Sequence, residues 1–89
     1  MEVKATHDWF KSQKKRTFII ERSSYAGIGK FGSRWLGDNV ATVQDMGQSV
    51  LGIMSMNMFG VPMTGSDICG FGGDTNDELC ARWHMVGAF

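Results

Sequence analysis

Two aspartates stand in surroundings suited to proton transfer. Asp38 follows Trp35-Leu36-Gly37 and precedes Asn39, and Asp67 sits in the run Gly65-Ser66-Asp67-Ile68-Cys69-Gly70-Phe71. A carboxyl beside an indole in a cleft can hold its proton more tightly, as a general acid requires. Both aspartates also read as loop residues that accept backbone N–H bonds or begin a helix. Asp45, Asp74, Asp77 and Glu78 fit that second role, as charges and caps at helix starts.

Other chemistries fit less well. Gly27-Ile28-Gly29-Lys30-Phe31-Gly32 matches the spacing of a dinucleotide fingerprint, but that motif must open a helix whose N-terminus holds the pyrophosphate. Ser33 to Asp38 does not start one, so the glycines read as a flexible loop lining a cleft. Ser23 and Ser24 lack the context of an activated serine nucleophile. No metal and no cofactor is expected. His7 and His84 lie far apart, neither belongs to a zinc motif, and Cys69 and Cys80 lack metal spacing. His84 reads as a helix-surface residue. The methionines read as core filler.

The elements that must position these residues follow from periodicity. Ala5 to Gln13 reads as the end of a helix. Thr17-Phe18-Ile19-Ile20 is a continuous β-rich run, suited to a strand covered on both faces. Trp35-Leu36 makes at best a very short strand. From Thr42 to Phe59, apolar residues recur at three- and four-residue steps and predict a helix, with Gly47 and Gly52 weakening it. Its Leu51–Phe59 end is apolar nearly all round and reads as buried. Val61 to Thr64 reads as a second buried strand, with Pro62 at its start. Thr75-Asn76-Asp77-Glu78 has the form of a capping box and starts a helix running to about Val86, with Leu79, Trp83 and Val86 on one face. This alternation predicts parallel β/α units, an α/β fold. Polar residues gather just past the strands, where βα barrels hold their chemistry: Arg22 and Ser23, then Asp38 and Asn39, then Asp67.

Composition narrows the partners. The chain has 89 residues, one domain at most, and a formal net charge of zero. The basic run Lys14-Lys15-Arg16 leads into an apolar strand and reads as a solvated helix end, so no nucleic-acid partner is expected. No apolar stretch reaches the roughly 18 residues that span a bilayer, and the first ten residues lack the apolar core of a signal peptide. Cys69 and Cys80 can be two buried thiols or a disulfide. A disulfide would contribute roughly 2.5–3 kcal/mol and imply an oxidising compartment.

Two blocks carry a family resemblance. The first is Arg22-Ser23-Ser24-Tyr25-Ala26-Gly27 with Trp35-Leu36-Gly37-Asp38-Asn39. The second is Gly65 to Phe71 followed by Thr75, Glu78-Leu79-Cys80, Arg82-Trp83 and Gly87-Ala88-Phe89. In this order, over about residues 16 to 89, the chain resembles family 31 glycoside hydrolases of the lysosomal and intestinal sucrase/maltase type. The resemblance implies a partial (β/α)8 TIM barrel, residues 1–89 forming a fragment of the catalytic domain, with strands five to seven ending near Ile20, Asp38 and Ser66. It implies a retaining α-glucosidase in which one carboxylate attacks the anomeric carbon and Asp38 protonates the leaving oxygen. Arg22 and Trp35 would line the pocket for the terminal glucose, with Asp67 and Phe71 completing its wall. It further implies a Cys69–Cys80 disulfide, a carbohydrate substrate of the maltose or α-glucan type, and a secretory, lysosomal or extracellular location. The family's nucleophile stretch, Trp-x-Asp-Met-Asn-Glu, has no counterpart here. The chain is therefore expected to be inactive alone and, as an open arc, marginally stable. Two alternatives remain: a carbohydrate-binding fragment without catalysis, or another activity of the family such as glucan lyase, α-xylosidase or transglucosidase.

Overall fold

The computed structural model describes residues 1–89. Helix α1 spans Glu2–Ser12, strand β1 Ile20–Glu21, a 3-10 turn Ile28–Lys30, strand β2 Ser33–Trp35, helix α2 Val43–Met58, strand β3 Thr64–Gly65 and helix α3 Asp77–Gly87. The strands form one parallel sheet in the order β1-β2-β3. Ile20 and Glu21 stand opposite Ser33 and Arg34, while Arg34 and Trp35 stand opposite Thr64 and Gly65. Parallel strands need crossover connections. Helix α2 supplies one between β2 and β3.

Helix α2 starts where its sequence can satisfy free N–H groups. The Thr42 hydroxyl accepts from Asp45 N at 3.1 Å, and the Asp45 carboxylate accepts from Val40 N at 2.6 Å. Such a cap is worth about 1 kcal/mol. Gly52, a poor helix former, is explained by packing: a Cβ there would lie 2.9 Å from Leu36 Cδ1, so the glycine lets the helix close on the end of β2.

All three strands are displaced from the predicted runs. Pairing starts only where a neighbour stands opposite. Ser33 N donates to Ile19 O at 2.7 Å and Arg34 N to Met63 O at 2.8 Å. Val61, placed in a strand by its sequence, instead donates its N–H to Met56 O and closes α2. At α3, Asn76 and not Thr75 is the cap: its side chain accepts from Leu79 N at 2.9 Å, and Glu78 pairs with Arg82 at 2.7 Å instead of reaching back. The capping-box expectation was one residue out of register.

The core is small. Ile28, Val61, Leu79 and Trp83 are its buried apolar side chains. The expectation of a strand covered on both faces fails, because Phe18 is 70% and Ile20 58% exposed. The expectation of a buried end to α2 fails too, with Leu51, Met54, Met58 and Phe59 all exposed. Apolar patterning marks a face that needs cover, and within these residues nothing supplies it.

Candidate functional site

The site grows from the carboxyl ends of the strands. Arg22 follows β1, Trp35 ends β2, and Asp67 lies two residues beyond β3. Glu21 ends β1, and Arg22 follows it in a bend. The Arg22 guanidinium lies over the Trp35 ring, 5.3 Å from its centroid. Gly37, at φ +100°, leaves room for it, since a Cβ there would sit 3.0 Å from Arg22 Nε. Trp35 Nε1–H donates to Asp67 Oδ1 at 3.0 Å, and the other carboxylate oxygen of Asp67 is buried without a partner.

Asn39 fixes this arrangement and was not singled out as a site residue. Its amide donates to Asp67 O at 3.1 Å and its carbonyl accepts from Asp67 N at 2.9 Å. Its main-chain carbonyl accepts from Phe71 N at 2.8 Å, and Val40 bridges to Gly72. The loop after β2 is thus tied to the loop after β3. The signal available in sequence was its place beside Asp38 in a polar pair.

Arg22, Trp35 and Asp67 form one connected group. Asp38 is exposed at the end of β2, three residues past Trp35, and Phe71 is exposed on the loop after β3. A cavity of about 560 Å3 opens beside this group, against Phe18, Ile20, Trp35, Met63 and Asp67. Arg22, Asp38 and Phe71 do not line it. The cavity is lined by polar residues such as Ser33, Arg34 and Thr64 as well as apolar ones, and Asp38 lies in the loop after β2.

Glu21 and Arg34 stand opposite each other in the sheet, with both Glu21 carboxylate oxygens and two Arg34 nitrogens buried and unbonded. Burial pushes the Glu21 carboxyl above its ordinary value, against the smaller opposing pull of the Arg34 guanidinium. Cys69 and Cys80 form a disulfide with their Cα atoms 4.4 Å apart. His84 Nδ1 lies 3.7 and 3.8 Å from the two sulfurs. Sequence reasoning treated His84 as an isolated surface residue and found no metal spacing. The i,i+4 step from Cys80 was the available signal.

A parallel β/α segment with polar side chains converging past its strand ends places this chain in the α/β class. The sequence profile described as "Glycosyl hydrolases family 31 TIM-barrel domain" matches residues 1–89. A probable alpha-glucosidase of Oryza sativa subsp. japonica is 46% identical over 90 residues, covering 100% of this chain and 10% of the relative. Probable maltase-glucoamylase 2 of Homo sapiens is 50% identical over 74 residues, 83% of this chain and 3% of that protein. A crystal structure of a glucosidase II alpha subunit with Glc1Man2 bound superposes with a TM-score of 0.91 at 32% identity, covering 98% of this chain and 10% of that one. The chain belongs to the TIM-barrel domain of glycoside hydrolase family 31, and it spans about a tenth or less of these relatives.

Proposed function

We propose that these residues form the acid/base-bearing arc of a retaining α-glucosidase, with β1, β2 and β3 as the fifth, sixth and seventh strands of its barrel. One observation carries the reading. Arg22, Trp35 and Asp67 converge past the ends of three parallel strands in a chain of this family. The substrate is a terminal α-linked glucose. Its apolar face stacks near Trp35, and its hydroxyls meet the Arg22 guanidinium through charge-assisted bonds. Asp67 holds the Trp35 indole in place through its Oδ1 and completes the pocket wall. Phe71 contributes an apolar edge.

In the first step the Asp38 carboxylic acid gives its proton to the glycosidic oxygen as the C–O bond breaks. A second carboxylate, from outside these residues, bonds to the anomeric carbon. In the next step Asp38, now a carboxylate, takes a proton from water, which attacks the anomeric carbon and releases glucose with its configuration retained. Free of the rest of the barrel, the chain lacks the nucleophile and does not turn over. The disulfide supports an oxidising location.

The test replaces the aligned segment of the rice relative with these 89 residues. This grafted enzyme should hydrolyse a chromogenic α-glucoside. Asp38→Asn should lower kcat by about 10²–10⁴, and azide should restore turnover of Asp38→Gly as α-glucosyl azide. Undiminished turnover in Asp38→Asn overturns the assignment.

A further inference from the structure

We infer that Cys69, Cys80 and His84 are a redox-gated site for a divalent transition metal, closed as a disulfide and opened by reduction. The site is separate from the sugar pocket and does not depend on the glucosidase reading.

Three potential ligand atoms lie within 4.8 Å of one another: His84 Nδ1 and the two sulfurs, which are bonded to each other and must part to roughly 3.8 Å to hold a tetrahedral metal. Cys80 and His84 stand one turn apart on α3, a step that points both side chains to one face. Cys69 comes from the loop after β3, held at φ +77° beside Gly70 at φ +98°. A tetrahedral zinc site with Zn–S about 2.3 Å and Zn–N about 2.0–2.1 Å separates its sulfur and nitrogen ligands by roughly 3.5 Å. His84 Nδ1 is 3.7 and 3.8 Å from the two sulfurs. Two thiolates with one imidazole suit zinc or cobalt, and leave the fourth position to water.

The gate follows from proton and electron counts. His84 Nδ1 is 2.9 Å from Cys80 O. A carbonyl oxygen only accepts, so Nδ1 carries the proton and cannot ligate in the oxidised chain. A thiol or phosphine reductant supplies two electrons, and with two protons the S–S bond becomes two thiols. The cation then displaces both thiol protons and forms two metal–sulfur bonds. The imidazole moves its proton from Nδ1 to Nε2 and gives the third bond, at the expense of the hydrogen bond to Cys80 O.

The measurement is cobalt(II) titration of the grafted enzyme, reduced under nitrogen, read by thiolate-to-cobalt charge-transfer absorption. The Cys69→Ser graft supplies the background from host cysteines. The reduced graft should bind one cobalt more than that background, the unreduced graft none. His84→Ala should weaken the extra site at least about tenfold. A double variant, His84→Ala with Met85→His, keeps the ligand composition but moves the imidazole off the face. It should bind as weakly as His84→Ala. No extra cobalt in the reduced graft overturns the inference. So does equal binding before reduction, or equal affinity in the double variant, which would mean that unfolded chain holds the metal.

Discussion

Gly37 and Gly27 offer a matched pair of perturbations. Both sit in the left-handed half of backbone space, at φ +100° and +88°. Replacing either by alanine therefore strains the backbone by about 1–3 kcal/mol. Their surroundings differ. A Cβ at Gly27 meets nothing within 4 Å, whereas at Gly37 it would lie 3.0 Å from Arg22 Nε and 3.1 Å from Nη2. The guanidinium must retreat by a few tenths of an ångström, away from a ring centroid 5.3 Å distant. The stacking at stake is about 0.5–2 kcal/mol, and the charged hydrogen bonds to sugar about 1.5–3 kcal/mol. Partial loss of both lowers kcat/KM by about ten- to a hundredfold. Assayed in the grafted enzyme with a chromogenic α-glucoside, Gly37→Ala should lose that factor and Gly27→Ala should stay within about threefold of the parent. Urea midpoints should fall by similar amounts in the two. Equal kinetics for the pair would refute the claim that Gly37 exists to seat Arg22.

Asn39→Ala removes two hydrogen bonds to the Asp67 backbone and should destabilise the grafted enzyme by about 2 kcal/mol, with a drop in kcat/KM that Asn39→Asp only partly restores; an unchanged urea midpoint would count against the clamp. Glu21 titrates with a raised folded pKa, so the folded state holds the proton more firmly than the unfolded chain. Stability is therefore greater below the ordinary carboxylate range and falls as pH rises through the raised value. Glu21→Gln should flatten that dependence and raise neutral-pH stability, as followed by urea unfolding across pH. The free chain exposes 6456 Å2, against about 5,200 Å2 for a compact monomer of its mass. The apolar share of that excess is worth about 20 kcal/mol, more than a domain's usual net stability of about 5–15 kcal/mol. The free monomer should show no cooperative melt by tryptophan fluorescence.

What the sequence disclosed was mostly local. Helix α2 was legible because its three- and four-residue apolar steps belong to the chain itself, while its Thr42 cap emerged only in the structure. The strands were seen but misplaced, since pairing at Ile20 and Thr64 depends on what stands opposite, and no local pattern holds that. Asn76 displaced Thr75 as the α3 cap because two adjacent residues can each accept from a first-turn N–H, and the approach of the chain decides between them. Arg22, Trp35 and Asp67 were nominated by resemblance, and the structure brings those three together. Asp38 and Phe71 stand apart from that contact. Asn39 and His84 escaped because each acts on a partner distant in sequence, or on a group whose own state was undecided.

The middle strand, Ser33–Trp35, is three residues long, yet each of its neighbours pairs with no other strand. A slip of one position would exchange Trp35 for Arg34 and turn the aromatic floor to the helix side. The flanking pairs could then re-form around the error, so overall shape would give little warning. Molecules that keep their outline but lose the sugar site are the expected product of such a slip.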